Sequence, residues 1–177
     1  MDINLLNDEE LSKLQELIGS SEKIALCCHR SPDGDAIGSV LGMAEYLYSS
    51  GKVPVMLVPD AYPDFLQWLP GTERMVRYDK HKAFADEILA GADLLFCLDF
   101  NTVQRTDNMA EAITASPAKK VMIDHHLAPD MDTDLCISHP EACSTCELVF
   151  RIIWQLGGFD LMTKKCAVPL YCGMMTD

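Results

Sequence analysis

Three short polar clusters hold the residue types that could do chemistry. They are His29-Arg30-Ser31-Pro32-Asp33-Gly34-Asp35, Asp99-Phe100-Asn101 and Asp124-His125-His126. Three of the chain's five histidines fall in them, each within six residues of an aspartate. Imidazole and carboxylate together form the mixed N/O donor set that binds a divalent cation. Such a cation can polarise a phosphoryl or carbonyl oxygen and acidify a water. Taken singly, each cluster has a plainer reading. A strand-end aspartate such as Asp33 or Asp99 commonly caps a helix, and a His-His pair is commonly surface or core. An Asp-x-Asp in a glycine-containing loop is weak on its own. The three together point to a site.

What sets them together is the element that precedes each. Lys23–Cys28, Leu94–Leu98 and Lys120–Ile123 are short, continuously apolar runs that predict buried strands, and each cluster begins where its run stops. Residues 53–58 and 136–138 predict two more strands. Helices are predicted between them. The first is opened by a capping box, Asn7 with Glu10. The second carries Ile37, Val40, Leu41, Ala44 and Leu47 on one face and closes at Gly51. Others are expected over residues 80–90, 108–114 and 145–156, with a last beginning near Thr163 and a short helix and loop over residues 59–71. Buried strands alternating with amphipathic helices define an α/β fold: a parallel, doubly wound sheet flanked by helices. Ligands of such sheets lie beyond the carboxyl ends of the strands, where the strand order reverses. The polar clusters occupy that edge. Carboxylates so crowded cannot all stay ionised without counter-charge, and bound divalent metal supplies it.

Composition narrows the partners. With 14 basic and 27 acidic residues the net charge is −13, which repels long polyanions. A small phosphorylated substrate held through bound cations remains compatible. The 177 residues suit one domain. No apolar run is long enough to span a bilayer, and Met1-Asp2-Ile3-Asn4 lacks the basic and apolar regions of a secretion signal. The eight cysteines lie mostly in apolar runs, as reduced buried thiols do, so a cytoplasmic location is expected. Cys143-Ser-Thr-Cys146 has CxxC spacing without a second pair and is not assigned a zinc or redox role.

His29-x-x-x-Asp33-x-Asp35, Asp99, Asp124-His125-His126 and the terminal Gly173-Met174-Met175-Thr176-Asp177 resemble, in order, the four motifs of the DHH phosphoesterases. The lead-in before His29 and the wording His-Arg-Ser-Pro-Asp-Gly-Asp-Ala-Ile-Gly-Ser resemble the nanoRNase/pAp phosphatase branch, often described as exopolyphosphatase-related. Family II pyrophosphatases usually place the first motif close to the N-terminus, and RecJ-type nucleases usually lack its histidine. The resemblance implies two divalent metal ions, Mn²⁺ foremost. His29, Asp33 and Asp99 would hold one, and Asp35, Asp99, His125 and Asp177 the other, with Asp99 as the bridge. Asp99, His126 and Asp124 would be the catalytic residues. His126 would face the substrate phosphate, and Asp124 would fix an imidazole. Two ions about 3.5–4 Å apart would clamp a phosphoryl oxygen and acidify a shared water. Mixed imidazole and carboxylate ligands suit Mn²⁺ better than Mg²⁺.

The resemblance further implies that residues 1–177 form the DHH catalytic domain, and that a C-terminal substrate-binding domain found in the family is absent from them. On that reading the fragment alone is weakly active. The expected substrates are short oligoribonucleotides and 3′-phosphoadenosine 5′-phosphate (pAp), with no long nucleic acid and no membrane as partner; a homodimer is compatible with it. Rival readings are a cyclic-dinucleotide phosphodiesterase, an inorganic pyrophosphatase or exopolyphosphatase, and a non-catalytic metal- or nucleotide-binding module. Gly34 and Gly38 are read as sites of close backbone approach, and Gly38 with Gly42 equally as a helix-packing pair. Ser144-Thr145 resembles a family position that opens a helix and is read as capping it, with substrate contact as the alternative.

Overall fold

The structure, a computed structural model, describes residues 3–177; the sequence reading of the chain's start rests partly on Met1 and Asp2, which lie outside that range. Six strands form one sheet: β1 (Ile24–Cys27), β2 (Val55–Val58), β3 (Val76–Arg77), β4 (Leu94–Leu98), β5 (Lys119–Asp124) and β6 (Leu135–Ser138). Their order is β3-β2-β1-β4-β5-β6, and all five pairings are parallel. Chain order therefore reverses between β1 and β4, which makes this the switch point beyond whose strand ends ligands of such sheets bind.

The six α-helices are α1 (Asp8–Ser20), α2 (Gly34–Ser49), α3 (Lys82–Gly91), α4 (Ala110–Ala115), α5 (Thr145–Gln155) and α6 (Lys164–Thr176). They divide between the two faces of the sheet, as a doubly wound fold requires. Successive strand side chains point to opposite faces. Leu26, Leu94, Phe96, Leu98, Val121 and Ile123 join the core under α1, α2, α5 and α6. Ala25, Cys27, Leu95, Cys97 and Met122 join the core under α3 and α4. Every residue of β1 and β4 is buried, which explains why these runs carry no polar alternation.

The expected strands and helices are present with shifted ends. β2 starts at Val55 rather than Val53, after Pro54, which has no N–H to give the ladder. The strand β3 and the 3₁₀ segment Val103–Met109 ahead of α4 were not anticipated. The capping box at α1 forms as read, with Asn7 accepting from the Glu10 amide and Glu10 accepting from the Asn7 amide. All eight cysteines are free; Cys146 is buried and Cys143, which precedes α5, is exposed. Among the described residues, no helix is long and apolar enough to cross a membrane.

α6 sits unusually close to α2. A Cβ at Gly38 would stand 2.5 Å from the Pro169 carbonyl oxygen, and one at Gly42 would overlap the Leu170 side chain. Gly38 and Gly42 thus serve helix packing. Their missing side chains let α6 run along α2, and the end of α6 carries Asp177 to the sheet edge.

Candidate metal centre

His29 follows β1 and is 7% exposed. Its Nδ1 lies 2.7 Å from the Arg30 carbonyl, which only accepts, so Nδ1 carries the proton and Nε2 is the free donor atom. That Nε2 stands 3.3 Å from Asp99 Oδ2 and 3.8 Å from Asp33 Oδ1. Asp33 is also the N-cap of α2, its Oδ1 accepting from the Asp35 and Ala36 amides at 3.0 Å. The plain reading and the functional one coexist in this residue. Asp35, in the first turn of α2, is fully buried, and its carboxylate rests on the N-terminus of α5. The Thr145 amide donates to Oδ2 at 2.7 Å and the Cys146 amide to Oδ1 at 2.8 Å.

Asp99 directly follows β4 and is 1% exposed, with a left-handed backbone at φ 65°. Among the described residues, Ser31, Asp107 and Ala128 are the other non-glycine residues with positive φ, and all four lie in connections leaving the carboxyl ends of strands. Such conformations cost about 1–3 kcal/mol each and gather at functional sites. At the end of β5, Asp124 holds His126 twice, with Oδ1 2.7 Å from Nδ1 and Oδ2 accepting the His126 amide at 3.0 Å. Since a carboxylate only accepts, Nδ1 of His126 carries the proton, which leaves Nε2 free. The ring between is His125. Its Nε2 faces Asp177 Oδ2 at 3.5 Å, Asp99 Oδ1 at 3.6 Å and Asp35 Oδ2 at 3.7 Å.

Six of the eight sequence-predicted residues, His29, Asp33, Asp35, Asp99, His125 and Asp177, therefore meet at one point of the sheet edge, and Asp124 and His126 adjoin it. Three overlapping groups have donor atoms within 4.8 Å of one another: His29, Asp33 and Asp99; Asp99, His125 and His126; Asp35, His125 and Asp177. Donor atoms about 2.0–2.2 Å from one ion stand roughly 3–4 Å apart, so the spacings fit cation ligands.

The electrostatics agree. Burial, reinforced by the Asp35 charge and opposed by His29 and Thr145, pushes the Asp99 carboxyl up to about 6. Burial and the charge of Asp35 also raise Asp177. For His29, burial lowers the pKa, but bonding to Asp99 and the Arg30 carbonyl and the nearby Asp charges outweigh it, leaving it raised. Among the described residues no lysine or arginine is ion-paired with Asp33, Asp35, Asp99 or Asp177, whose charged neighbours are histidines. His125 Nε2 makes the same point by geometry: it is buried and has no hydrogen-bond partner among the described residues. An imidazole nitrogen in that position, ringed by three carboxylates, is an unmet donor toward a cation. The residues present fit divalent metal.

One participant was not anticipated. Thr145, read as part of a helix opening, donates its hydroxyl to Asp99 Oδ1 at 2.9 Å. Ser144 does the capping, accepting from the Glu147 amide at 3.1 Å. A spacing of 46 residues between Thr145 and Asp99 leaves no local sequence signal for that contact.

A parallel sheet of this order, with His and Asp gathered at its switch point, defines a class. The chain belongs to the DHH family: the model of the DHH family, N-terminal domain, matches residues 23–174. It is 28% identical over 172 residues to the bifunctional oligoribonuclease and PAP phosphatase NrnA of Thermus thermophilus, covering 96% of this chain and 48% of that one. It is 27% identical over 177 residues to the cyclic-di-AMP phosphodiesterase GdpP of Geobacillus thermodenitrificans, covering 93% of this chain and 26% of that one. Among solved structures, an exopolyphosphatase-related protein from Bacteroides fragilis superposes with TM-score 0.94 at 44% identity, over 96% of this chain and 50% of that one. RecJ bound to manganese shares the fold at TM-score 0.55 and 15% identity, over 97% of this chain and 44% of that one. The chain thus spans about half or less of the relatives it matches.

Proposed function

We propose that these residues form the catalytic domain of a two-metal phosphoesterase acting on short oligoribonucleotides and pAp. The observation that carries this is His125 Nε2, buried and unpartnered among Asp35, Asp99 and Asp177. His29, Asp33 and Asp99 would hold one divalent ion and Asp35, Asp99, His125 and Asp177 the other, most favourably Mn²⁺. Bound there, such ions supply Lewis-acid polarisation of a phosphoryl oxygen and a lowered water pKa. The chain's own groups do the rest. Asp124 locks the His126 ring so that Nε2 points away from it and can bond the phosphate. The buried carboxylates, set before substrate arrives, cost no reorganisation during reaction.

The substrate class is supported by the similarity to NrnA and by the −13 charge, which offers no basic track for long RNA. GdpP keeps the cyclic-dinucleotide reading in play. In this proposal a second domain, beyond residues 1–177, grips the substrate and closes the cleft, so the 177 residues alone turn over slowly. The test is a panel with Mn²⁺ on the chain and on a version extended to the length of its relatives: dinucleotide RNA, pAp, cyclic dinucleotides, pyrophosphate and long RNA. We expect dinucleotide and pAp to lead in kcat/KM, and the extended version to be the faster. Preference for pyrophosphate or cyclic dinucleotides, or processive decay of long RNA at moderate salt, would replace this reading.

A further inference from the structure

We infer that Thr145 is a positioning residue of the metal centre, its hydroxyl setting the rotation of the Asp99 carboxylate while its amide holds Asp35. The inference rests on the two-metal reading above and deepens it. Asp99 is asked to serve two groups at once, with Oδ2 toward His29 and Oδ1 toward His125 and His126. Rotation about the final carboxylate torsion is soft and two-fold, so the side chain alone does not choose which oxygen faces which histidine. The imidazole contacts to Oδ1, at 3.6 and 3.8 Å, are too long to set it, and the His29 contact to Oδ2, at 3.3 Å, is at the long end of hydrogen bonding. Thr145 Oγ1, at 2.9 Å from Oδ1, is nearer than any of them.

Three further observations show that this contact is not incidental. Thr145 is fully buried, so its hydroxyl needs a partner inside the protein, and a carboxylate can only accept. It is the first residue of α5, where a β-branched side chain has few rotamers, so the helix fixes the direction of the hydroxyl. The same position leaves its amide outside the helix ladder, and that amide donates to Asp35 Oδ2 at 2.7 Å. Capping does not claim the hydroxyl, because Ser144 already caps α5. One residue thereby ties a carboxylate after β4 to a carboxylate on α2. Asp99 is the proposed bridge and Asp35 a proposed ligand of the second ion, and their mutual placement decides whether two cations can sit side by side.

The test titrates the 177-residue chain with Mn²⁺ alone by calorimetry, and records the manganese EPR spectrum at saturation and the melting temperature. Thr145→Ser keeps the hydroxyl; Thr145→Ala and Thr145→Val remove it, the latter at nearly constant shape. Thr106→Val, which removes a buried hydroxyl bonded to the Val103 carbonyl and not to any proposed metal ligand, is the control for ordinary loss of stability. Loss of a group that orients a ligand weakens metal binding by about 10–100-fold, and that is expected for the Ala and Val variants, with Ser close to the parent. The spin-coupled signal of a close manganese pair should be lost with them and kept in Thr145→Ser and Thr106→Val. If Val fails to fold, the Ser and Ala variants, which differ in the hydroxyl alone, carry the comparison. Parental affinity and coupling in Thr145→Ala would overturn the role of Thr145 and leave the two-metal reading standing. A parent chain that binds no Mn²⁺ would overturn both.

Discussion

Asp99 carries the tension of the site in one side chain. It is buried, strained at φ 65°, and its carboxyl is raised to about 6, chiefly by burial. An acid whose pKa rises on folding binds more protons folded than unfolded between the two values. The stability it costs is therefore absent below about pH 4 and in full force above about pH 6. In the metal-free protein, Asp99→Asn removes that penalty. It is expected to stabilise the chain at pH 7.5 in EDTA by something on the order of 1–3 kcal/mol. The gain should shrink toward pH 4.5. Saturating Mn²⁺ should reverse the order, because binding stabilises only the parent to any extent. Urea midpoints at the two pH values, with EDTA or Mn²⁺, check this; an Asn variant less stable than the parent in EDTA at pH 7.5 would count against a penalised carboxylate.

At the scale of elements, Gly38 and Gly42 let α6 lie against α2 and bring Asp177 to His125. Gly38→Ala gains about 1 kcal/mol in helix propensity. It also forces a methyl against the Pro169 carbonyl oxygen, and overpacking of that kind costs about 1–3 kcal/mol. We expect a lower melting temperature and weaker Mn²⁺ binding, because α6 must move and carries Asp177 with it; melting and calorimetry read both, and a more stable variant with parental binding would show the contact to be slack. The strands that bear the site were legible from sequence because apolar runs ending abruptly in Asp and His clusters mark buried strands of a parallel sheet. β3 was not, since the two residues Val76 and Arg77 are too few to show a pattern. The 3₁₀ segment Val103–Met109 was equally hidden, its turn at Asp107 resting on a left-handed backbone that an aspartate does not advertise. For glycines, composition alone left ligand approach and helix packing equal; the position of Pro169 and Leu170 decides for packing at Gly38 and Gly42. Thr145 shows the same limit for polar residues. Its place at the start of α5 reads as capping, whereas its work lies across the sheet edge on Asp99.

As a whole molecule, the chain spends its most strained backbone and its most buried charges on one edge of an otherwise apolar sheet. Two cores of ordinary packing hold β1, β4 and β5 at fixed spacing. The edge then assembles donors from four separate stretches of chain: His29 to Asp35, Asp99, Asp124 to His126, and Asp177. On the proposed reading, acidic charge that would repel long polyanions elsewhere serves here to hold cations. In the proposed centre one carboxylate, that of Asp99, bridges two of them. Equilibrium dialysis of the 177-residue chain against saturating Mn²⁺, with metal content per chain as the readout, tests it most directly. We expect two Mn²⁺ per chain for the parent and loss of both sites in Asp99→Ala, whereas His29→Ala keeps one. A folded Asp99→Ala chain that still retains two Mn²⁺ would contradict it.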